Sequence, residues 1–225
     1  MTLLQPNKRQ WFRRRLRDWA TDNLRDFPWR RTGDPYAIFI AEFLLQKTSA
    51  ETVAPIYEAF LARYPNLETL AVASVEDIAP LLQPLGLFFR AERLCQSIQI
   101  VCRDWGGMFP ATEAQLLQLP GVGKYTARSI RAHAFDRPAA VLDTNVAGIL
   151  ERFFGLQGDR VKSRCKILWA AADEAAPSRN VGRWNLTLLD FGAMVCTARN
   201  PRCGECPLRK RCDDFNLVDG SPSST

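Results

Sequence analysis

Apolar residues recur along the chain at intervals of three and four positions, the spacing that places them on one face of an α-helix. Near the N-terminus this pattern comprises Trp11, Phe12, Leu16 and Trp19, and it returns in residues 39–44. Sustained alternation of apolar and polar residues, which is typical of β-strands, is hard to find. The pattern therefore predicts an all-α fold.

Proline and glycine divide this helical pattern into many short segments. The main breakpoints are Pro28, Pro35, Pro65, Pro84, Gly86, Gly106, Gly107, Pro110, Pro120, Gly121, Pro138 and Gly155. We find no internal repeat of fixed period. A chain of 225 residues that is 47% hydrophobic can bury a core, either as one large domain or as two small lobes.

The charge of the chain favours a polyanionic partner without identifying it. Lysine and arginine number 30 against 24 aspartates and glutamates, so the formal charge is +6. Surface composition alone explains such a balance in many enzymes. Residues 1–10 are polar and basic, and nowhere do about 18 uncharged apolar residues run together. We therefore expect a soluble protein of the cell interior, in the cytoplasm and associated with the nucleoid.

Four of the seven cysteines form the most specific motif in the sequence. Cys196, Cys203, Cys206 and Cys212 give the spacing C-x6-C-x2-C-x5-C. Four thiolates in one loop can bind a tetrahedral zinc ion or a [4Fe–4S] cluster. A zinc ribbon usually has two C-x2-C pairs and this loop has one, so the spacing favours iron–sulfur, with zinc as the alternative.

Basic residues lie between and beside these cysteines. They are Arg199, Arg202, Arg209, Lys210 and Arg211. Guanidinium groups on such a loop can bind phosphate, and Arg202 is our candidate DNA contact. The alternative is a solvated loop whose charge offsets that of the cluster.

A Gly-x-Gly turn separates two amphipathic segments, residues 112–118 and 126–134. Gly121, Val122, Gly123 and Lys124 form this turn. Glycine permits close approach of the backbone to a ligand, and amides at the start of the second helix can bind an anion. A helix-hairpin-helix binds a DNA phosphate in this way without reading sequence. A plain connection between helices is the alternative.

Two carboxylates are candidates for catalysis. Asp143 ends an apolar run and precedes a helical segment, which is typical of a helix N-cap, but it could also stabilise positive charge on a flipped nucleotide's sugar. Glu42 lies inside an apolar helix, where an unpaired acid is costly, so it needs either a structural partner such as an arginine or a catalytic purpose. The single histidine, His133, argues against histidine-based catalytic triads.

The hairpin, the aspartate and the cysteine loop occur in the order found in the helix-hairpin-helix glycosylase superfamily, which includes endonuclease III and the mismatch adenine glycosylases. The chain resembles that superfamily from Asp26 to Cys212. The resemblance implies two helical lobes: a barrel of residues 31–137 containing the hairpin, and a [4Fe–4S] domain formed by residues 1–30 and 138–225. Double-stranded DNA would lie in the cleft between them.

Motifs around Phe27-Pro28-Trp29-Arg30 and residues 41–48 resemble the adenine glycosylase branch, and endonuclease III lacks the acid that Glu42 supplies. Tyr125 stands where endonuclease III has its Schiff-base lysine. Lys124 is one position early and would project about 100° away, so strong lyase activity is not expected.

Adenine glycosylases usually carry serine at the position of Tyr125, whereas the related mismatch-specific thymine glycosylase carries tyrosine. The chain also ends where adenine glycosylases continue into a further domain. The resemblance thus implies base excision repair of thymine or uracil opposite guanine, with Asp143, Glu42 and Tyr125 in the catalytic site. Adenine opposite guanine or 8-oxoguanine is the alternative substrate.

Further DNA contacts are implied by the same resemblance. Gln46, Lys47, Leu87 and Phe88 match loops that fill the gap left by the flipped base or probe the opposite base. Simple packing would also account for Leu87 and Phe88. We expect a monomer. A function of another class, a non-catalytic DNA-binding module, would use the same hairpin and basic loop but would have no need of Glu42 and Asp143.

Overall fold

The computed structural model describes residues 2–86 and 90–218, and within these ranges the regular structure is helical, without a β-strand. This confirms the predicted all-α class. The α-helices of the described chain are α1 (Pro6–Asn23), α2 (Pro35–Leu44), α3 (Ala50–Arg63), α4 (Leu67–Ala71), α5 (Val75–Leu82), α6 (Ala91–Trp105), α7 (Glu113–Leu116), α8 (Lys124–Ala134), α9 (Thr144–Phe154), α10 (Lys166–Ala175), α11 (Val181–Met194) and α12 (Asp213–Val218). Short 3₁₀ helices occupy Pro28–Arg31, Gln83–Leu85, Lys162–Arg164 and Arg209–Arg211.

The chain divides into two compact units. One comprises Asp26–Arg137, and the other joins Met1–Arg25 to Pro138–Thr225. The first boundary lies at Asp26, before the expected boundary at residue 31. Residues 26–30 belong with the following helices because Trp29 packs edge-on against Tyr57 of α3, with ring centroids 5.5 Å apart.

In the unit Asp26–Arg137, α2 is the central helix and packs against α3 and α8. Pro35 occupies its first position, and the Asp34 carboxylate caps it by accepting hydrogen bonds from the amides of Tyr36 and Ala37, both at 3.2 Å. Nearly every side chain of α2 is buried, so this helix forms the middle of the unit's apolar core. Glu42 is thereby held in an apolar environment.

In the other unit, α9 packs against α10, α11 and α12, and α1 packs against α11. The end of the N-terminal segment of this unit is held against α11 by Asp190, whose fully buried carboxylate accepts from the Arg25 amide at 2.9 Å and from Arg25 Nε at 2.8 Å. The core contains Phe12 and Leu16 of α1, as the helical spacing predicts. Residues from both ends of the sequence therefore build one core around α9 and α11.

Among the described helices, none combines the length and the apolar character needed to cross a bilayer. Leu87 and Phe88, which we expect to contact DNA, lie outside the described residues.

Candidate functional site

The four clustered cysteines line one small cavity between the end of α11 and the start of α12. Cys196 follows α11, and Cys212 directly precedes α12. Between them the backbone makes successive tight turns, with the Cys206 amide donating to the Cys203 carbonyl at 3.3 Å and the Cys212 amide to the Arg209 carbonyl at 3.2 Å. The sequence spacing therefore folds locally into a loop that presents four thiols to a common space.

The electrostatics of this loop fit a cationic metal centre. Burial, together with repulsion from the neighbouring thiolates of Cys196, Cys212 and Cys203, raises the pKa of Cys206 to about 11. Iron or zinc removes that penalty by binding the thiolates directly. The donor set suits an iron–sulfur cluster.

Arg152 of α9 braces the cysteine loop and was not foreseen from the sequence. Its guanidinium donates to the carbonyls of Thr197 at 2.9 Å and Ala198 at 2.7 Å, and Nη1 lies 3.5 Å from Cys196 Sγ. Cys212 Sγ in turn donates to the Arg152 carbonyl at 3.5 Å. The loop is thus tied to the helix that begins beside Asp143. Only its position beside the loop in the fold reveals this role.

The basic side chains of the loop face solvent. Those of Arg199, Arg202, Arg209, Lys210 and Arg211 are all exposed. The structure therefore leaves these charges available to an anionic partner, with Arg202 among them.

Asp143 is the N-cap of α9. Its Oδ1 accepts from the Val146 amide at 2.7 Å, and its side chain is only partly exposed. Burial raises the pKa of the Asp143 carboxyl above its ordinary value, because it outweighs the hydrogen bonds from the amides of Val146 and Asn145 that favour the anion. Asp143 is therefore both the cap of α9 and a partly buried carboxyl group at the start of that helix.

Glu42 is the one charged side chain of α2 and is partly exposed. Its partner is Ser129 of α8, whose hydroxyl donates to Oε1 at 2.6 Å. Across residues 2–86 and 90–218 the Glu42 carboxylate forms no salt bridge, so the arginine partner considered from the sequence is absent there. Burial raises the pKa of Glu42 from 4.5 to about 7, and the Ser129 hydrogen bond opposes this rise. Such an acid can exist in either protonation state near neutral pH.

The Gly-x-Gly turn forms a hairpin that the side chain of Gln46 supports through a hydrogen bond. Gly121 has a positive φ of 84°, and its carbonyl accepts from Gln46 Nε2 at 3.0 Å. The side chain of Val122 is buried, whereas Gly123 and Lys124 are exposed. Gly123 is the N-cap of α8 and has no capping side chain. Gly123 and Lys124 are therefore the part of this turn that a phosphate can approach, while the buried side chain of Val122 anchors the turn.

Tyr125 is the second residue of α8 and is partly exposed. On the same unit, the amide of Gln46 is engaged at both ends, since Oε1 accepts from Arg90 Nη1 at 3.0 Å. Lys47 follows with a positive φ of 62° and an exposed side chain. The structure thus gives Gln46 a role in supporting the hairpin, which its sequence neighbours did not indicate.

Comparison with known proteins identifies the class. Residues 40–172 match the model of the HhH-GPD superfamily of base excision DNA repair proteins, and residues 196–212 match the iron–sulfur binding domain of endonuclease III. The chain belongs to the HhH-GPD superfamily. Its cysteine loop is the iron–sulfur binding segment, which decides between the two metals left open by the spacing.

Individual relatives extend the match beyond this core. A thymine/uracil-DNA glycosylase of Methanothermobacter thermautotrophicus is 38% identical over 88% of this chain and 89% of its own length. An adenine DNA glycosylase of Buchnera aphidicola is 33% identical over 84% of this chain but 53% of its own length, so the chain spans about half of that relative. The solved structure of a thermostable thymine-DNA glycosylase superposes with a TM-score of 0.89 at 35% identity, covering 94% of this chain and 98% of the other.

Proposed function

We propose that this protein is a monofunctional DNA glycosylase that hydrolyses the N-glycosidic bond of thymine or uracil opposite guanine and leaves an abasic site. The observation that carries the proposal is the likeness, over nearly the full length of both chains, to a thymine/uracil-DNA glycosylase. We propose that it works as a monomer on double-stranded DNA, with the chromosome of the nucleoid as its substrate.

Asp143 acts on the sugar of the flipped nucleotide. As the bond between C1′ and the base breaks, its electron pair leaves with the base nitrogen and positive charge builds on the sugar. The carboxylate is fixed by its hydrogen bond from the Val146 amide, so it needs no reorganisation to stabilise that charge. Water then bonds to C1′ and releases a proton, and the departing base is protonated.

Glu42 orients the base or the attacking water, because thymine lacks the purine N7 that an acid could protonate. With a pKa of about 7, its carboxylate can also accept the proton that the water loses. Tyr125, at the start of α8, contacts the flipped base. Since the position of Tyr125 offers no amine and Lys124 precedes it, we expect little lyase activity.

The DNA backbone is bound by the hairpin and the basic loop. The exposed turn at Gly121, Gly123 and Lys124 takes a phosphate, with Val122 anchoring it, and Arg202 takes another. Gln46 and Lys47 contact the duplex near the flipped nucleotide, and Leu87 and Phe88 fill the gap.

Cys196, Cys203, Cys206 and Cys212 would hold a [4Fe–4S] cluster, which supplies a cross-link for the basic loop, since hydrolysis transfers no electrons. Iron and acid-labile sulfide analysis of the brown protein should give four of each per chain. A colourless protein with one bound zinc would contradict this assignment.

The test of function is base release from otherwise identical duplexes holding T:G, U:G, A:G, A:8-oxoG or normal pairs, followed by alkali to cut abasic sites. We expect release from T:G and U:G. Asp143→Asn should abolish release while sparing DNA binding and stability, because asparagine is an equally good N-cap. Equal loss of release and binding in this variant would remove Asp143 from the chemistry.

An adenine glycosylase is the second candidate, favoured by Glu42 and by the 33% identical adenine DNA glycosylase. A raised carboxyl pKa suits protonation of a purine N7. Release of adenine alone from the A:G or A:8-oxoG duplex would select this candidate.

A further inference from the structure

The segment that leads into Asp143 is irregular but deeply buried. Residues 139–142 are neither helical nor in a strand, yet each is 3% exposed or less. Buried backbone amides and carbonyls need hydrogen-bond partners, and an irregular segment cannot find all of them within itself. Partners from elsewhere in the unit must therefore fix its path.

Asn185 of α11 supplies two of these partners. Its side chain is fully buried, its Oδ1 accepts from the Val141 amide at 3.2 Å, and its Nδ2 donates to the Ala139 carbonyl at 2.9 Å. A single carboxamide thus pairs with a backbone donor and a backbone acceptor two residues apart. These two hydrogen bonds fix both the position and the orientation, relative to α11, of the segment just before Asp143.

Gly192, also on α11, contacts the first turn of α9, which begins directly after Asp143. It lies seven residues, or two helical turns, after Asn185 and therefore on the same face of α11. A Cβ at Gly192 would come within 2.6 Å of Asn145 Cβ and 3.4 Å of Asn145 Cα. The first turn of α9 consequently rests directly on the α11 backbone, two residues past Asp143.

We propose that this face of α11 positions the Asp143 carboxylate, with Asn185 as a positioning residue that acts through the backbone of residues 139–142 and Gly192 as the close contact that seats Asn145. The inference rests on the proposed function for its kinetic consequence. Neither residue touches substrate. Their effect on base release comes from holding Asp143 where charge develops on the sugar.

The first test compares Asn185→Ala with Thr187→Val. Thr187 is also buried on α11, but its hydroxyl bonds to the Arg183 carbonyl of its own helix. We expect Asn185→Ala to lower the single-turnover rate of base release by about 100-fold, since small misplacements of a reacting group cost that much. Its affinity for a T:G duplex carrying a slowly cleaved 2′-fluoro nucleotide should stay near wild type. Thr187→Val should retain both. Parallel losses of rate and affinity, or an equal loss in Thr187→Val, would overturn the proposal.

A second pair of variants tests the contact between Gly192 and Asn145. Gly192→Ala should slow base release selectively because the new methyl group displaces Asn145. Gly148→Ala on α9 is the matched substitution, since its Cβ would have no atom within 4 Å, and it should leave the rate unchanged. A Gly192→Ala protein with the wild-type rate would contradict the role of this contact.

A structural measurement separates this inference from the proposed function. The Val146 amide is held by Asp143 Oδ1, so its hydrogen exchange, measured by NMR, reports the position of that carboxylate. In Asn185→Ala this amide should exchange faster while amides later in α9 keep their protection. If the wild-type protein releases no base from any duplex, the proposed function fails, but the exchange of Val146 still decides whether Asn185 positions Asp143. Unchanged exchange at Val146 would refute it.

Discussion

At the scale of single residues, two opposing effects set the pKa of Glu42. Removal of the carboxylate from water favours the protonated form, whereas the Ser129 hydroxyl, 2.6 Å away, favours the anion. The first effect is the larger, so the pKa lies near 7. The Ser129 hydrogen bond therefore increases the fraction of Glu42 that is ionised at neutral pH, against the larger effect of burial.

Ser129→Ala should raise the pKa of Glu42, because the hydrogen bond that favours the anion is lost. If the ionised form orients water for removal of thymine, the acid limb of the pH–rate profile moves to higher pH. At a pH on or below the acid limb, the single-turnover rate of base release in Ser129→Ala should be about fivefold lower than in the wild type. This factor corresponds to the loss of one hydrogen bond of about 1 kcal/mol. If the substrate is a purine and Glu42 acts as the acid, the alkaline limb of the pH–rate profile would move to higher pH instead. A profile with neither shift would exclude Glu42 from the chemistry.

The same pKa makes stability depend on pH. Because the folded-state pKa of Glu42 lies above its ordinary value of 4.5, folding favours the protonated form. Its contribution is fully present below pH 4.5 and is lost as the pH rises through about 7. Ser129→Ala extends that loss to higher pH.

At the scale of elements, the sequence predicted those parts that depend on local pattern. The apolar run of α2, the Gly-x-Gly turn and the cysteine spacing each lie within a few neighbouring residues. The contacts that support them join distant positions: Ser129 and Glu42 are 87 residues apart, and Gln46 and Gly121 are 75 apart. One sequence carries no signal for such pairs, because many serines and glutamines could satisfy the same buried group.

Substitutions at Gly121 and Gly123 separate the structural role of the hairpin from its role in DNA binding. Gly121 has a φ of 84°, and its Cβ would lie 3.3 Å from Phe43 Cε2. Gly121→Ala should therefore lower the free energy of unfolding by about 1–2 kcal/mol, the cost of a left-handed conformation for an L-residue, and weaken DNA binding with it. Denaturant unfolding measures the first effect, and fluorescence anisotropy with labelled duplex measures the second.

Gly123 is the matched position, because its φ is −98° and a Cβ there would have no neighbour within 4 Å. Gly123→Ala should cost less than about 1 kcal/mol of stability, the difference between glycine and alanine as an N-cap, but should weaken DNA binding because the added methyl group obstructs the approaching phosphate. Full DNA affinity in Gly123→Ala would mean that this turn is a plain helix connection.

At the scale of the whole molecule, the proposed functional groups are distributed over both compact units. The hairpin, Glu42 and Tyr125 belong to Asp26–Arg137, whereas Asp143 and the cysteine loop belong to the unit that joins the two ends of the sequence. The order of these motifs was visible in the sequence. The assignment of residues 26–30 was not, because it depends on Trp29 packing against Tyr57 of a later helix.

The net charge of +6 implies that DNA binding releases counterions and weakens as salt rises. Each phosphate contact by a cation adds to the slope of log Kd against log salt concentration. Arg202→Gln should reduce that slope by about 1, because one exposed guanidinium no longer meets a phosphate. Titration of a labelled T:G duplex at several salt concentrations measures it.

Arg103→Gln is the matched substitution for this titration. Arg103 is also exposed, but its guanidinium already donates to the Asp104 carboxylate at 2.5 and 2.8 Å. Its charge is therefore compensated within the protein, and the slope should not change. Were the Arg202 and Arg103 variants to show the same slope as the wild type, Arg202 would not bind phosphate, and its charge would instead offset that of the iron–sulfur cluster that the cysteine loop would hold.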